Sequence, residues 1–171
     1  MVELAVIGAG ERGRRLAQRA AAAGLSVVLE DLFPSNRRVA EAELAGTGVR
    51  LASTIEEAVR EAALVVDFVP DELESKLEIF CLLDRMAPPQ TILCTPSVRM
   101  SITDLASCTY RAEQCVAVRD AEGGMNVGEA QSVHVLRGAR TSDATVEAVT
   151  ALWKRLGMGV SVELDPKSRM F

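Results

Sequence analysis

Gly8, Ala9, Gly10, Glu11, Arg12 and Gly13 form a G-x-G-x-x-G loop directly after the apolar run Leu4, Ala5, Val6 and Ile7. A loop of this kind, entered from a strand and left through a helix, is suited to hold a dinucleotide pyrophosphate. Gly8 permits the tight turn, Gly10 lets the pyrophosphate approach the backbone, and Gly13 lets helix and strand pack closely. The helix start adds unpaired N–H groups and the positive end of its dipole. Asp31 closes the next apolar run, where a carboxylate can accept hydrogen bonds from the adenosine ribose hydroxyls. A 2′-phosphate would meet that carboxylate as a like charge, and no Arg directly follows Asp31; Arg37 and Arg38 lie too far along the next helix to hold the phosphate. The pattern therefore favours NAD over NADP. Glu11 brings a negative charge beside the pyrophosphate, to be offset by Arg12 or turned to solvent. The competing reading is a glycine turn that keeps this shape without binding.

These groups need elements to position them. Short, nearly continuous apolar runs occur at residues 4–7, 27–29, 64–69, 91–93, 115–118 and 133–136, as expected of strands covered on both faces. Helical patterns fill the gaps at 13–23, 34–45, 72–86, 101–107 and 142–156, bounded by Gly24, Pro34, Gly46, the pair Pro88 and Pro89, and Gly157. Thr54 to Glu57 reads as a capping box that starts a further helix. The alternation predicts an α/β fold: one doubly wound, Rossmann-type, mostly parallel sheet with helices on both faces, a single domain over residues 1–171. Residues 119–131, with Gly123, Gly124 and Gly128, form the one long irregular stretch, and loops of that length are functional or mobile.

At 171 residues, 49% of them hydrophobic, the chain can bury one sizeable core. Its 19 basic and 24 acidic residues are scattered and sum to −5, so no basic face is offered to nucleic acid. Six aromatics (1 Trp, 1 Tyr and 4 Phe) form no base-stacking surface. The four cysteines include no C-x-x-C pair and there is one His, which predicts no metal site. Cys94 and Cys108 read as core residues. The chain starts without a secretory leader and has no membrane-length apolar run, so a cytoplasmic location is expected.

Further motifs carry a family resemblance. They are Val6 through Gly10; the run from Leu64 through Glu74 with Lys76; Asp84, Arg85, Met86, Ala87 and Pro88; and Ser101 through Ala106. Arg137 and Gly138, then Thr141, Ser142 and Asp143, and Lys154 through Gly157 complete them. Over nearly its whole length the chain resembles the NAD-binding domain of the 3-hydroxyacyl-CoA dehydrogenases, including bacterial 3-hydroxybutyryl-CoA dehydrogenases. The resemblance implies NAD as cofactor, with Val69, Pro70, Asp71 and Lys76 joining the glycine loop. Asp71 and Lys76 match a family acid and lysine that contact the nicotinamide-side ribose. The alternative for this pair is a solvated helix start with Lys76 paired to Glu72.

The resemblance fails at the reacting centre. The family uses a His as general base, a Glu that orients it, and a Ser and an Asn on the substrate oxygen. Counting back from Ser101 puts Val98 at the Ser; the adjacent Ser97 points the other way in an extended segment. Counting forward puts Arg119 at the His, and counting back from Arg137 puts Glu122 there. The same count places His134 at the Glu, which suggests a reversed dyad with His134 as base and Glu122 as orienting acid. The alternative is a strand histidine with a satisfied hydrogen bond.

Family members continue past the match to Asp165 and Pro166 into a helical domain that forms much of the acyl-CoA cleft. Here the chain ends at Phe171, so that domain is expected to be absent. A homodimer or a partner chain is expected to cover the exposed face. Three functions compete: a 3-hydroxyacyl-CoA dehydrogenase-type oxidoreductase, a noncatalytic NAD(H)-binding sensor or scaffold, and an oxidoreductase for another substrate held by Arg119 or Arg99. If the first holds, acetoacetyl-CoA will drive NADH oxidation and His134→Ala will abolish it; an absorbance assay at equal activity for both proteins removes His134 from the mechanism.

Overall fold

The computed structural model describes residues 1–165. Its eight strands are β1 (Val2–Ile7), β2 (Val27–Glu30), β3 (Arg50–Ala52), β4 (Ala62–Asp67), β5 (Ile92–Pro96), β6 (Cys115–Asp120), β7 (Ser132–Arg137) and β8 (Gly159–Leu164). The helices are α1 (Glu11–Ala22), α2 (Pro34–Glu43), α3 (Ile55–Val59), α4 (Leu73–Met86), α5 (Ile102–Ala106) and α6 (Asp143–Arg155). One sheet runs in the order β3-β2-β1-β4-β5-β6-β7-β8. Every neighbouring pair is parallel except β6 and β7, which pair antiparallel with Arg119 opposite His134. The order reverses between β1 and β4, and in open α/β sheets ligands bind at such a reversal, over the carboxyl ends of the strands.

The doubly wound α/β expectation holds, and its reason is visible in the two cores. On one face Leu4, Val6 and Leu29 meet Leu16, Ala17 and Ala20 of α1, Ala40 of α2, and Val149 and Trp153 of α6. On the other, Ala5, Ile7 and Val65 meet Ala58 of α3, Ile79, Phe80 and Leu83 of α4, and Ile102 and Leu105 of α5. Neighbouring strand residues thus face opposite cores, which is why the runs are continuous rather than alternating. In α1 the buried Gly13, Leu16, Ala17 and Ala20 repeat at helical spacing. Cys94 is 1% exposed and burial pushes its thiol far up, whereas Cys108 is only half-buried.

Two strands were not legible in the sequence. β3 is short and mostly exposed, and β8 is an edge strand open to solvent along its length, so neither carries a buried apolar run. The capping box at Thr54 is present: its Oγ1 accepts from Glu57 N at 3.2 Å. Glu57 Oε2 in turn accepts from Ser53 N, one residue earlier than the motif predicts. β6 extends to Asp120, and that carboxylate organises the following turn by accepting from the N–H groups of Glu122, Gly124 and Asn126. The turn leads onto α1: a Cβ on Gly128 would stand 2.6 Å from Leu16 N, and Arg19 donates to the carbonyls of Gly128 and Ala130. The irregular stretch is therefore a wall pinned to α1 rather than a free loop.

Under the sheet's carboxyl edge lies a buried ion pair. Lys76 of α4 is fully buried and donates to Asp67 Oδ1 (2.8 Å), Thr95 Oγ1 (2.9 Å) and the Pro96 carbonyl (3.1 Å), which uses all three ammonium donors. It ties the ends of β4 and β5 to α4. Asp67 Oδ2 is buried with no hydrogen-bond partner among the described residues. Removing one member of a buried pair strands the other, at a cost of about 3–5 kcal/mol, whereas replacing both by apolar groups is often near neutral. Urea unfolding should accordingly show Lys76→Met losing about that much and the double variant Lys76→Met/Asp67→Leu recovering most of it.

Candidate functional site

The three loop glycines separate by what each makes room for. Gly8 has φ +100°, a backbone region that L side chains rarely adopt. A Cβ on Gly13 would sit 1.8 Å from the Gly8 carbonyl oxygen, so α1 can approach the turn only because that atom is missing. Gly10, the N-cap of α1, has φ −65° and its Cβ would meet nothing within 4 Å. The protein itself does not require glycine at this position. The backbone N–H groups of Glu11, Arg12 and Gly13, ahead of the first turn's closing bond from Arg14 N to Gly10 O, face outward for a ligand.

Two cavities meet over the loop and share Gly10, Phe68, Val69 and Pro70. One, of ≈ 520 Å³, extends past Asp71 and Pro96 to the wall formed by Met125, Asn126 and Glu129. The other, of ≈ 590 Å³, lies over the end of β2 and is lined by Glu30, Asp31, Leu32, Phe33, Ile55 and Ile79, among others. Leu32 and Phe33 are 73% and 62% exposed there, an apolar flank for a flat ring that the sequence analysis did not single out. Glu30 is 4% exposed at the cavity's edge; burial first, and Asp31 second, raise its carboxyl to about 7, with Arg37 acting the other way.

Asp31 lines the second cavity as expected, but much of its carboxylate is already engaged. It accepts from Ala9 N (2.8 Å), Phe33 N (2.8 Å) and Asn36 Nδ2 (3.0 Å), bracing the glycine turn against the start of α2. Arg37 is closer than its sequence distance suggested: its guanidinium folds back onto the carbonyls of Asp31 and Leu32, outside the lining of that cavity. Glu11 is paired by Arg15 at 2.5 Å, one helical turn on, and not by Arg12, whose Nε donates to Asn126 Oδ1. Arg15 also pairs with Glu129 across the cavity wall.

Asp71 lines the first cavity and accepts from Ser97 Oγ (2.6 Å) and Val98 N (3.0 Å), joining the turn after β4 to the turn after β5. Lys76 sits below rather than in the crevice. A solvated lysine paired with Glu72 is not what forms, and with its donors taken and no exposed surface it contributes by holding β4 and β5 in place.

At the reacting centre implied by the resemblance, Val98 is exposed, while Ser97 is fully buried and points to Asp71; the two lie in a turn and not in an extended segment, since Ser97 Oγ also accepts from Arg99 N and Met100 N. Arg119 donates from Nε to the Ser97 carbonyl at 2.7 Å. His134 and Glu122 are not brought together. His134 Nδ1 lies 2.5 Å from Ser161 Oγ and 3.1 Å from Glu163 Oε1, both on β8, and Glu122 is exposed in the turn beyond β6. The reason is register: β8 pairs His134 with Ser161, and this partner strand was invisible in the sequence. Among the described residues no group of three or more His, Cys, Asp or Glu side chains could hold a metal ion. No described helix is long and apolar enough to cross a membrane.

Comparison with known proteins bears on the same crevice. Residues 35–165 match the family model for the 3-hydroxyacyl-CoA dehydrogenase NAD-binding domain, which begins after the glycine loop. A probable 3-hydroxybutyryl-CoA dehydrogenase of Bacillus subtilis is 30% identical, the match covering 91% of this chain and 60% of that protein. The 3-hydroxybutyryl-CoA dehydrogenase of Bradyrhizobium diazoefficiens is 31% identical over 95% of this chain and 61% of its own length. The chain thus spans about three fifths of these curated relatives. The crystal structure of (S)-3-hydroxybutyryl-CoA dehydrogenase from Ralstonia eutropha superposes with TM-score 0.87 at 23% identity, covering 96% of this chain and 64% of that one, a likeness of fold. The chain belongs to the family of NAD-binding domains of 3-hydroxyacyl-CoA dehydrogenases.

Proposed function

We propose that this chain binds NAD(H) across the two cavities and serves hydride transfer to or from a 3-hydroxyacyl-type substrate such as an acyl-CoA. The observation that carries the cofactor half is Gly10, where the fold tolerates a side chain and only a ligand lying on the backbone would forbid one. In this reading the amides at the start of α1 hold the pyrophosphate. Asp31 stands at the adenosine ribose, with Leu32 and Phe33 flanking the base. Val69, Pro70 and Asp71 line the nicotinamide side, and Lys76 keeps the β4 and β5 ends in position. When bound, the dinucleotide supplies the hydride chemistry. The reading includes a cytoplasmic protein and one NAD-binding domain over residues 1–171. It also includes a second copy or a partner chain covering β8, where Val162 and Leu164 are 42% and 77% exposed.

A second reading, a noncatalytic NAD(H)-binding sensor or scaffold, is favoured by the resemblance, which sets Val98 at the family's Ser and Arg119 or Glu122 at its His, and by His134 being engaged with β8 instead of Glu122. Turnover with acetoacetyl-CoA separates the two.

Gly10→Ala tests the binding reading without disturbing the fold. Its melting temperature should match the parent's while calorimetry shows NADH affinity reduced by about tenfold or more, roughly 1.4 kcal/mol. NADP should bind the parent more weakly than NAD by a similar factor. An unaltered NADH affinity in the variant would mean that no pyrophosphate lies over Gly10.

A further inference from the structure

Glu30 is an acid where the fold asks for an apolar residue. It ends β2, whose other three residues are Val27, Val28 and Leu29, and strand alternation puts it on the same face as Val28, toward α3 and α4. Ile55, Ile79 and Leu82 from those helices line the cavity that Glu30 also lines. The carboxyl is 4% exposed, yet no described residue donates a side-chain or backbone hydrogen bond to it. A buried carboxylate without a partner is costly, and burial alone favours its neutral form.

The charged groups around it do not relieve that cost. Asp31 is its chain neighbour, and Glu78 of α4 lines the same cavity, so two further carboxylates face the space. Among the described residues Arg37 of α2 is the cation that acts on it, and its guanidinium is committed to the carbonyls of Asp31 and Leu32. From α3, Glu57 turns to Arg50 and Ser53, while Ile55 faces the cavity. β1 contributes Ile7, the glycine turn contributes Gly8, and the turn after β4 contributes Phe68, Val69 and Pro70, all uncharged.

We propose that seating the adenosine half of the dinucleotide over Glu30 is coupled to uptake of a proton by this carboxyl, so that affinity for NAD(H) falls as pH rises through neutrality. The inference rests on the dinucleotide reading above and adds to it a proton-linked contact. A bound ring removes the remaining water from Glu30 and pushes its carboxyl further up from about 7, in the direction burial has already moved it. The neutral acid then offers one donor and one acceptor, complementary to the N7 acceptor and N6–H donor of adenine, whereas the carboxylate offers acceptors alone. The sign follows from linkage: the complex binds more protons than the free protein, so alkali favours dissociation.

Calorimetric titration of NADH at pH 7.5 in two buffers of different ionisation enthalpy reads the proton directly and needs no variant. The expected result is net uptake of a fraction of a proton with NADH and with ADP-ribose, and none with nicotinamide mononucleotide. Across pH 6 to 9, affinity should fall by roughly tenfold for each pKa unit by which the ligand raises Glu30. Glu30→Gln, its fold checked by thermal unfolding, should bind with a flat profile and bind more tightly than the parent at pH 9. NADH binding without proton uptake, or an unchanged slope in Glu30→Gln, overturns the inference and leaves the dinucleotide reading standing. Failure of both NADH and ADP-ribose to bind at any pH overturns the two together.

Discussion

The crevice depends on how closely α1 approaches the turn that follows β1. Because Gly13 has no Cβ, the first turn of α1 rests on the Gly8 carbonyl, and Gly8 can turn there only because it adopts a positive φ. That approach points the helix's unpaired amides across the reversal in strand order, between the ends of β1 and β4. Asp31 extends the same constraint sideways by accepting from Ala9 N, so the end of β2 and the glycine turn form one unit. The 121–131 segment closes the other side, held down by the contact of Gly128 with α1.

Charges buried around this crevice do two kinds of work. Lys76 and Asp67 hold the floor: they join α4 to β4 and β5 and leave the Pro96 to Val98 turn, which Asp71 grips from above, in a fixed place. Arg111 does likewise at the far end of α4, donating to Asp84 and to the carbonyls of Ala87 and Pro88 where the helix dipole is negative. Glu30 is different, since no described residue donates a hydrogen bond to its carboxyl. A polar group kept under such conditions is an unmet demand for a partner or a proton.

The positions that the resemblance assigns to a reacting centre contrast with the crevice. The side chain of Val98 is exposed and cannot donate a hydrogen bond, and Arg119 is fixed to the Ser97 carbonyl. His134 shares its Nδ1 between Ser161 and Glu163 on the outer strand. The fold fixes the dinucleotide platform, whereas individual side chains decide the reaction.

The sequence by itself determined the glycine turn, the acid after β2, the order of most elements and the family. Those signals are local: they depend on backbone conformation, on apolar runs and on spacings within a few residues. Only the tertiary structure decided that Lys76 is buried and that Asp31 braces Ala9. It alone revealed that His134 meets β8 and that Glu30 is enclosed without a partner. Each of these depends on what lies opposite a residue across the sheet or a helix turn. That is set by strand pairing and helix packing between segments far apart in the chain, and an edge strand such as β8, with no buried run, leaves no local trace of where it will pair.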